Sequence, residues 1–289
     1  MTDVTLDTKW GTPSRLHDPY ALANFQPRCS DVLIVTAPKA GTTWMQQILH
    51  QLRSGGDTEF TSIFQVVPWL EKPAEHEPWQ QRLARYEQIP NPRIFKTHCT
   101  YEQTPGVDVA KIVLSSRDPR DCCVSFYHHM MGMNETALQR YGIQQPDSFD
   151  VWIDQWLNFA SWYRNVQSWW PHIDNSNLLW LRYEDMKADL SASLDQLLTF
   201  LRWSITTEQR LKVLELCNIG WMRAHESKFI LHTEGGEPTF KAGGFVRKGT
   251  VGDYQTLLST EQEARILAKA RQMLTPECLR FLALNVEAG

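Results

Sequence analysis

The stretch that decides the fold is residues 31–44, DVLIVTAPKAGTTW. Its first part, Asp31–Thr36, is an apolar run that predicts a short buried strand. The turn Ala37–Gly41 follows, and Thr43–Leu52 then predicts a helix. A strand that ends in a glycine turn and leads into a helix points backbone N–H groups and the positive helix end at an anion. The stretch therefore predicts a phosphate site, with further donors from two threonine hydroxyls and one lysine.

This loop differs from the standard nucleoside-triphosphate loop, G-x-x-x-x-G-K-[ST]. Thr42 occupies the lysine position, and Lys39 precedes Gly41 by two residues. No acidic residue ends a strand in the manner expected of a magnesium ligand. The pattern favours a phosphate ester bound without a metal. The alternative is an ordinary strand-to-helix turn with a lysine on it.

The rest of the chain alternates strand-like and helix-like segments, which is typical of the α/β class. Further strands are predicted over Arg93–Thr97, Lys111–Ser115 and Leu178–Arg182. A helix begins near Asp118, because an aspartate cap precedes a proline there. Other helices are predicted over Val151–Trp170, Leu190–Phe200, Thr207–Cys217 and Thr260–Leu274. We expect a single α/β domain over residues 1–289, with a central parallel sheet flanked by helices and a P-loop-like strand–loop–helix.

The composition excludes several classes of protein. The 289 residues carry a formal net charge of −4, whereas a general nucleic-acid binder has a strong basic excess. No apolar run approaches the roughly 20 residues of a membrane helix, and residues 1–20 contain no secretory signal. The six cysteines form no C-x-x-C pair and no zinc-type cluster. We expect a cytoplasmic protein with reduced thiols, and with no metal, nucleic-acid partner or membrane span.

Six segments resemble motifs of the cytosolic-type sulfotransferase family that depends on 3′-phosphoadenosine 5′-phosphosulfate (PAPS). They are PKAGTTW at 38–44, VPWLE at 67–71, RIFKTH at 93–98, RDPRDCCVSFYH at 117–128, YEDMK at 183–187 and FVRKGTVGD at 245–253. One match carries little weight, but six in the family's order over residues 36–253 are highly specific. The resemblance implies that the chain moves the sulfuryl group of PAPS to a hydroxyl of a small acceptor and releases 3′-phosphoadenosine 5′-phosphate (PAP).

The resemblance implies catalytic roles for three residues. His98 is the candidate general base, because a neutral imidazole near pH 7 can take the proton of an attacking hydroxyl. Lys39 meets the bridging oxygen as the S–O bond breaks, as its family counterpart does. Lys96 lies two residues before His98 on a strand, so both side chains share one face and Lys96 can stabilise the sulfuryl oxygens. Cys99 faces away from His98, which argues against a Cys–His nucleophilic pair.

The resemblance also implies which residues bind PAPS. They are Lys39, Ala40, Gly41, Thr42 and Thr43 for the 5′-phosphate, Arg117, Ser125, Arg247, Lys248 and Gly249 for the 3′-phosphate, and Trp44, Tyr183 and Ile219 for adenine. Arginine suits a phosphate because its fork is bidentate. Ile219 stands where the family has an aromatic residue, so adenine would be held mainly from one face. The 3′-phosphate cations at 247–248 lie in the glycine-rich stretch Gly235–Gly252, which predicts a long loop that acts as a lid.

The acceptor is predicted from composition alone. A set of aromatic and methionine side chains suits an apolar pocket for a phenol, a steroid-like alcohol or a lipid alcohol: Phe64, Trp69, Phe126, Tyr127, Met130, Met131 and Trp152. The alternative is that most of them belong to the core. Residues 255–264 lack the charges of the family's dimer motif, so the oligomeric state stays open.

Two other functions remain as alternatives. An ATP-dependent P-loop small-molecule kinase would place a lysine directly before the loop threonine and an acidic ligand for magnesium. A non-catalytic nucleotide carrier would keep the phosphate residues and could lose the base. The presence of both Lys39 and His98 favours an enzyme.

Overall fold

Four parallel strands form the central sheet of the protein, whose computed structural model describes residues 7–74, 76–233 and 235–284. They are β1 (Val32–Thr36), β2 (Ile94–Thr97), β3 (Lys111–Ser116) and β4 (Leu178–Arg182). The four predicted strands are confirmed. Their spatial order is β2-β1-β3-β4. The strands β2 and β3 therefore lie on opposite sides of β1, and the strand order reverses there. Open α/β sheets bind ligands at the carboxyl ends of the strands next to such a reversal.

Helices cover both faces of the sheet, which confirms the predicted fold class. The α-helices are α1 (Pro19–Asn24), α2 (Thr42–Ser54), α3 (Ile63–Val66), α4 (Trp79–Glu87), α5 (Pro119–Gly132), α6 (Glu135–Tyr141), α7 (Phe149–Phe159), α8 (Ser161–Trp169), α9 (Tyr183–Ala188), α10 (Leu190–Leu201), α11 (Thr207–Leu216), α12 (Ile219–Ala224), α13 (Thr260–Met273) and α14 (Pro276–Phe281). Short 3₁₀ turns lie at Thr8–Trp10, Trp170–His172, Glu226–Lys228 and Asp253–Thr256. No helix in the described ranges is long and apolar enough to cross a bilayer. Residues 1–6 of the N-terminal stretch predicted to contain no signal lie outside those ranges.

The prediction of one helix over Val151–Trp170 is wrong. The helix is interrupted at Ala160, which adopts a left-handed conformation with φ 48° between α7 and α8. Trp156 before the break and Trp162 after it are both buried in the same core. In a continuous helix, residues six apart would point about 120° away from each other. The break therefore lets both indoles enter one core.

The two faces of β1 belong to two separate hydrophobic cores. Leu33 and Val35 pack into an aromatic-rich core with α5, α7, α8 and α13. Val32 and Ile34 pack on the opposite face with α2, α10 and α11. Every residue of β1 is buried. Burial of both faces explains why the strand is a continuous apolar run rather than an alternating one.

Residues 235–252 form the predicted long loop, called here the lid loop. It contains no helix and no strand beyond isolated bridges. Its far end is fixed by the carboxylate of Asp121 on α5, which accepts hydrogen bonds from the backbone N–H groups of Gly252 and Tyr254 at 2.9 and 3.1 Å. The lid loop is therefore tied to the helix that follows β3.

Candidate active site

The N-terminus of α2 is open to a ligand. Gly41 is its N-cap residue with φ 94°, and no side chain in the described ranges caps the first-turn N–H groups. A Cβ at Gly41 would lie 2.9 Å from the Tyr183 ring, so only glycine allows this approach. The free N–H groups and the positive helix end are thus available to an anion.

A cavity of about 940 Å³ lies over this helix start. It is lined by nearly all the residues predicted for the site: Lys39, Gly41, Thr42, Thr43, Trp44, Lys96, His98, Arg117, Ser125, Tyr183, Ile219, Arg247, Lys248 and Gly249. Ala40 is the exception. It is fully buried, its N–H donates to the carbonyl of Ala37, and its own carbonyl accepts from Ser115. Ala40 therefore stabilises the conformation of the loop and does not face the cavity.

His98 and Lys96 lie on the cavity floor at the end of β2. Nδ1 of His98 lies 2.8 Å from the carbonyl oxygen of Thr36, which can only accept, so Nδ1 carries the proton. Nε2 of His98 then has a free lone pair and lies 3.3 Å from Nζ of Lys96. The backbone N–H of His98 donates to Glu71 at 2.8 Å, which fixes the strand end. Cys99 is buried and does not line the cavity, as predicted.

Lys39 lies in the loop that joins β1 to α2 rather than at the end of β2. Its Nζ is 3.1 Å from Nδ1 of His129 on α5, and it lies 5.3 Å from the ring centre of Phe245. Its backbone has φ 68°, a left-handed conformation that costs a lysine about 1–2 kcal/mol. The loop is therefore held in a strained conformation that aims this ammonium into the cavity.

Burial changes the ionisation of these groups. It lowers the pKa of Lys39 to about 7, with a further contribution from the charge of Arg117. It also lowers the pKa of Lys96 to about 7. Burial first and the Lys96 charge second lower the pKa of His98 to about 3, and the pKa of His129 also lies well below its usual value because of burial. Both imidazoles are therefore neutral at pH 7, while an anion in the cavity would favour the charged form of each lysine.

A second group of cations lies at the other end of the cavity. Arg117 donates to the carbonyl of Thr250 in the lid loop at 2.8 Å, but its Nε is buried without a partner in the described part of the chain. Arg247 and Lys248 both pair with Asp253, at 2.6 and 2.9 Å. A buried guanidinium N–H without a partner is costly, and a phosphate oxygen would satisfy it.

An aromatic slot lies between these two groups. Trp44 and Tyr183 meet edge to face with ring centres 5.3 Å apart, and Nε1 of Trp44 donates to the carbonyl of Cys217 at 2.7 Å. Ile219 begins α12 beside them and lines the cavity. The slot offers ring faces and an aliphatic edge to a planar base.

The remaining wall of the cavity is apolar. Five predicted acceptor-pocket residues line it: Phe64, Trp69, Phe126, Met130 and Trp152. Tyr127 and Met131 do not, and the Tyr127 ring packs on Phe149. Met133, which the sequence also offers as part of a methionine wall, lines the cavity as well. The sequence does not single out three other lining residues, His129, Phe240 and Phe245. His129 lies four residues after Ser125, on the same face of α5, so helical spacing could have revealed it.

These features define the class of the protein, an α/β protein with a P-loop-like anion site. A family model described as the sulfotransferase domain matches residues 29–275. The chain therefore belongs to the sulfotransferase family.

Its similarity to individual relatives is moderate and extends over most of the chain. It is 28% identical to bovine sulfotransferase 1E1 over 89% of this chain and 88% of the relative. It is 29% identical to rabbit amine sulfotransferase over 93% of this chain and 89% of the relative. Mouse sulfotransferase SULT7A1 complexed with PAP shares the fold with a TM-score of 0.68 and 22% identity, covering 92% of each chain. A complex of retinol dehydratase with retinol and PAP has a TM-score of 0.72 at 20% identity, covering 88% of this chain and 84% of that chain.

Proposed function

We propose that this chain transfers the sulfuryl group of PAPS to a hydroxyl of a small apolar acceptor. The observation that carries the proposal is one cavity that joins the N-terminus of α2, Lys39, Lys96 and the neutral His98 to Arg117, whose Nε has no partner in the described part of the chain. When bound, PAPS supplies a sulfuryl group on a phosphate leaving group. Two of the similar structures are complexes with PAP. The cavity of this chain has cations at both ends, which suits a ligand with two phosphates.

Different parts of the cavity are proposed to bind different parts of PAPS. The start of α2 and Lys39 hold the 5′-phosphate and offset the charge that develops on its bridging oxygen. Arg117, with Arg247 and Lys248 from the lid loop, holds the 3′-phosphate. Ser125 lines the cavity next to them. Trp44, Tyr183 and Ile219 hold the adenine between them.

His98 is proposed as the general base. Its Nδ1–H is held by the carbonyl of Thr36, so Nε2 is the atom that accepts the proton of the acceptor hydroxyl. Nζ of Lys96 lies 3.3 Å from the same Nε2. An anion on the cavity floor would compete for the Lys96 ammonium and free Nε2 for the hydroxyl. The same anion would offset the cationic charge that lowers the pKa of His98.

A neutral hydroxyl fits the acceptor side better than an ammonium group. No carboxylate lines the cavity among the described residues, whereas lysines lie on its floor. A protonated amine would therefore meet like charges and no counter-ion. The same lack of acidic ligands disfavours ATP with magnesium, the substrate of the kinase alternative. Free thiols on all six cysteines support the cytoplasm as the compartment.

Ligand-dependent thermal stability tests the donor. PAP, 5′-AMP and ATP with magnesium are compared side by side, because a ligand at about 100 times its Kd adds about 2.7 kcal/mol of stability. We expect stabilisation by PAP alone, and Arg117→Ala should reduce the PAP shift more than any AMP shift. Arg120→Ala, outside the cavity, is the matched control. Stabilisation by ATP with magnesium but not by PAP would put the kinase in place of the sulfotransferase.

A further inference from the structure

The cavity contains a second histidine, His129, which has no role in the proposed phosphate binding or in the proposed base catalysis. It lies on α5 and lines the cavity between the lysine of the loop and the acceptor wall. Its ring is surrounded by three phenylalanines, with ring centres at 4.8 Å for Phe240, 5.6 Å for Phe245 and 5.9 Å for Phe126. Packing on several sides holds the imidazole in one orientation.

The contact with Lys39 decides which ring nitrogen carries the proton. Nζ of Lys39 lies 3.1 Å from Nδ1 of His129. An ammonium group has only donors, so Nδ1 accepts and the proton of the neutral ring resides on Nε2. An anion bound at the loop keeps Lys39 protonated and so maintains this arrangement.

Nε2–H of His129 has no partner. No hydrogen bond joins it to any group in the described ranges, and the lining of the cavity there includes no carboxylate. The ring itself packs against three phenylalanine rings. A donor that faces a ligand cavity without a protein partner is available to an acceptor atom of the ligand. In this tautomer the ring has no free lone pair, so His129 cannot replace His98 as the base.

We propose that His129 is a specificity residue that donates an Nε2–H hydrogen bond to a second oxygen of the acceptor. This inference rests on the proposed function. Nδ1 of the same ring contacts Lys39, the lysine at the leaving group, so the second oxygen lies near the hydroxyl that receives the sulfuryl group. The acceptor class is therefore an apolar phenol or alcohol with an ether, carbonyl or hydroxyl oxygen close to its reactive hydroxyl.

Binding to the PAP-saturated protein tests the inference without turnover. Isothermal titration compares two nearly isosteric pairs, 2-methoxyphenol with 2-ethylphenol and 3-methoxyphenol with 3-ethylphenol. We expect the wild type to bind the ether member of at least one pair roughly fivefold more tightly, the net value of one hydrogen bond. His129→Phe and His129→Met should remove this preference, and His129→Gln, which keeps an N–H donor, should retain part of it. His172→Phe is the matched control, because His172 stacks on Tyr101 outside the cavity.

The outcomes separate this inference from the function on which it rests. Loss of the ether preference in both donor-free variants, but not in the control, supports the role of His129. A wild type that binds PAP but prefers no ether, or a preference that survives in either donor-free variant, overturns it and leaves the sulfotransferase proposal in place. Failure of PAP to bind the wild type would overturn both.

Discussion

Four basic side chains meet at the cavity floor as two lysine–histidine pairs. Lys39 pairs with His129, and Lys96 pairs with His98. The two histidines differ in tautomer because their other contacts differ. The carbonyl of Thr36 holds the proton of His98 on Nδ1, whereas the ammonium of Lys39 leaves the proton of His129 on Nε2. The same residue type is therefore proposed as a proton acceptor at one position and as a hydrogen-bond donor at the other.

The first prediction at this scale concerns His98. His98→Ala should reduce sulfuryl transfer by about 100-fold or more, because general-base catalysis contributes typically 10²–10⁴-fold. PAP affinity should stay within about twofold, since His98 faces the acceptor hydroxyl rather than a phosphate. Transfer rates and titration with PAP measure the two effects. A fully active variant would remove His98 as the base.

The second prediction concerns the charge of Lys39. Its pKa is lowered from 10.5 to about 7 by burial, so the unfolded chain binds more protons between those pH values. Because of this lysine, the unfolding free energy of the wild type without bound PAPS or PAP increases as the pH rises from 7 toward 10.5. Lys39→Met should slow transfer strongly but raise the melting temperature, most at pH 6.5 and least at pH 9.5. Melting curves at both pH values check the sign, and a lower melting temperature for the variant at pH 6.5 would contradict it.

At the scale of elements, the lid loop joins the two halves of the donor site. Its carbonyl at Thr250 accepts from Arg117, and its cations at 247–248 are paired with Asp253. Tyr183 donates to the carbonyl of Gly249 at 3.3 Å. The loop therefore contacts Tyr183 and Arg117 together, the residues proposed to bind adenine and the 3′-phosphate.

Gly249 provides the prediction at this scale. It has φ 62°, and a Cβ there would lie 3.2 Å from Ile219 and 3.5 Å from the Tyr183 hydroxyl. Gly249→Ala should weaken PAP binding by about tenfold, because strain and the contact with Ile219 displace the loop from the adenine slot. Gly243→Ala is the matched control. It has similar backbone strain at φ 72° in the same loop but nothing within 4 Å of its Cβ. Titration with PAP measures both, and equal loss in the two variants would show that strain alone is responsible.

The parts of the site differ in how much the sequence reveals of them. The loop at residues 38–44 is local, so strand, turn and helix could be predicted from neighbouring residues. The break at Ala160 could not, because no glycine or proline marks it and the cause is the packing of indoles from both sides. The contact of Lys39 with His129 joins residues 90 positions apart, and no local pattern encodes it. The place of Phe240 and Phe245 likewise depends on the path of the lid loop over α5.

In the whole molecule, the candidate active site and a buried ion pair lie at opposite ends of the sheet. The carboxyl ends of β1 and β2 form the cavity floor. Near their amino ends, Arg93 forms a bidentate pair with Asp31 at 2.8 and 2.6 Å, and both side chains are 0% exposed. Removing one member of a buried pair leaves an uncompensated charge, which typically costs 3–5 kcal/mol.

Arg93→Met tests this separation. We expect the unfolding free energy to fall by about 3–5 kcal/mol, while PAP affinity of the remaining folded protein stays within about twofold. Arg85→Met, at the half-exposed pair with Glu77, should cost at most about 1 kcal/mol. Urea unfolding and PAP titration report the two properties. A large loss of PAP affinity in Arg93→Met would show that the two ends of the sheet are coupled.

Transfer from sulfur-labelled PAPS to a panel of phenols and apolar alcohols tests the central claim most directly. We expect label in the organic sulfate of at least one hydroxyl acceptor, matched by an equal amount of PAP, and loss of both products in His98→Ala. Label transferred to amines alone would contradict the hydroxyl acceptor. A protein that binds PAP but transfers label to no member of the panel would contradict the proposed acceptor class.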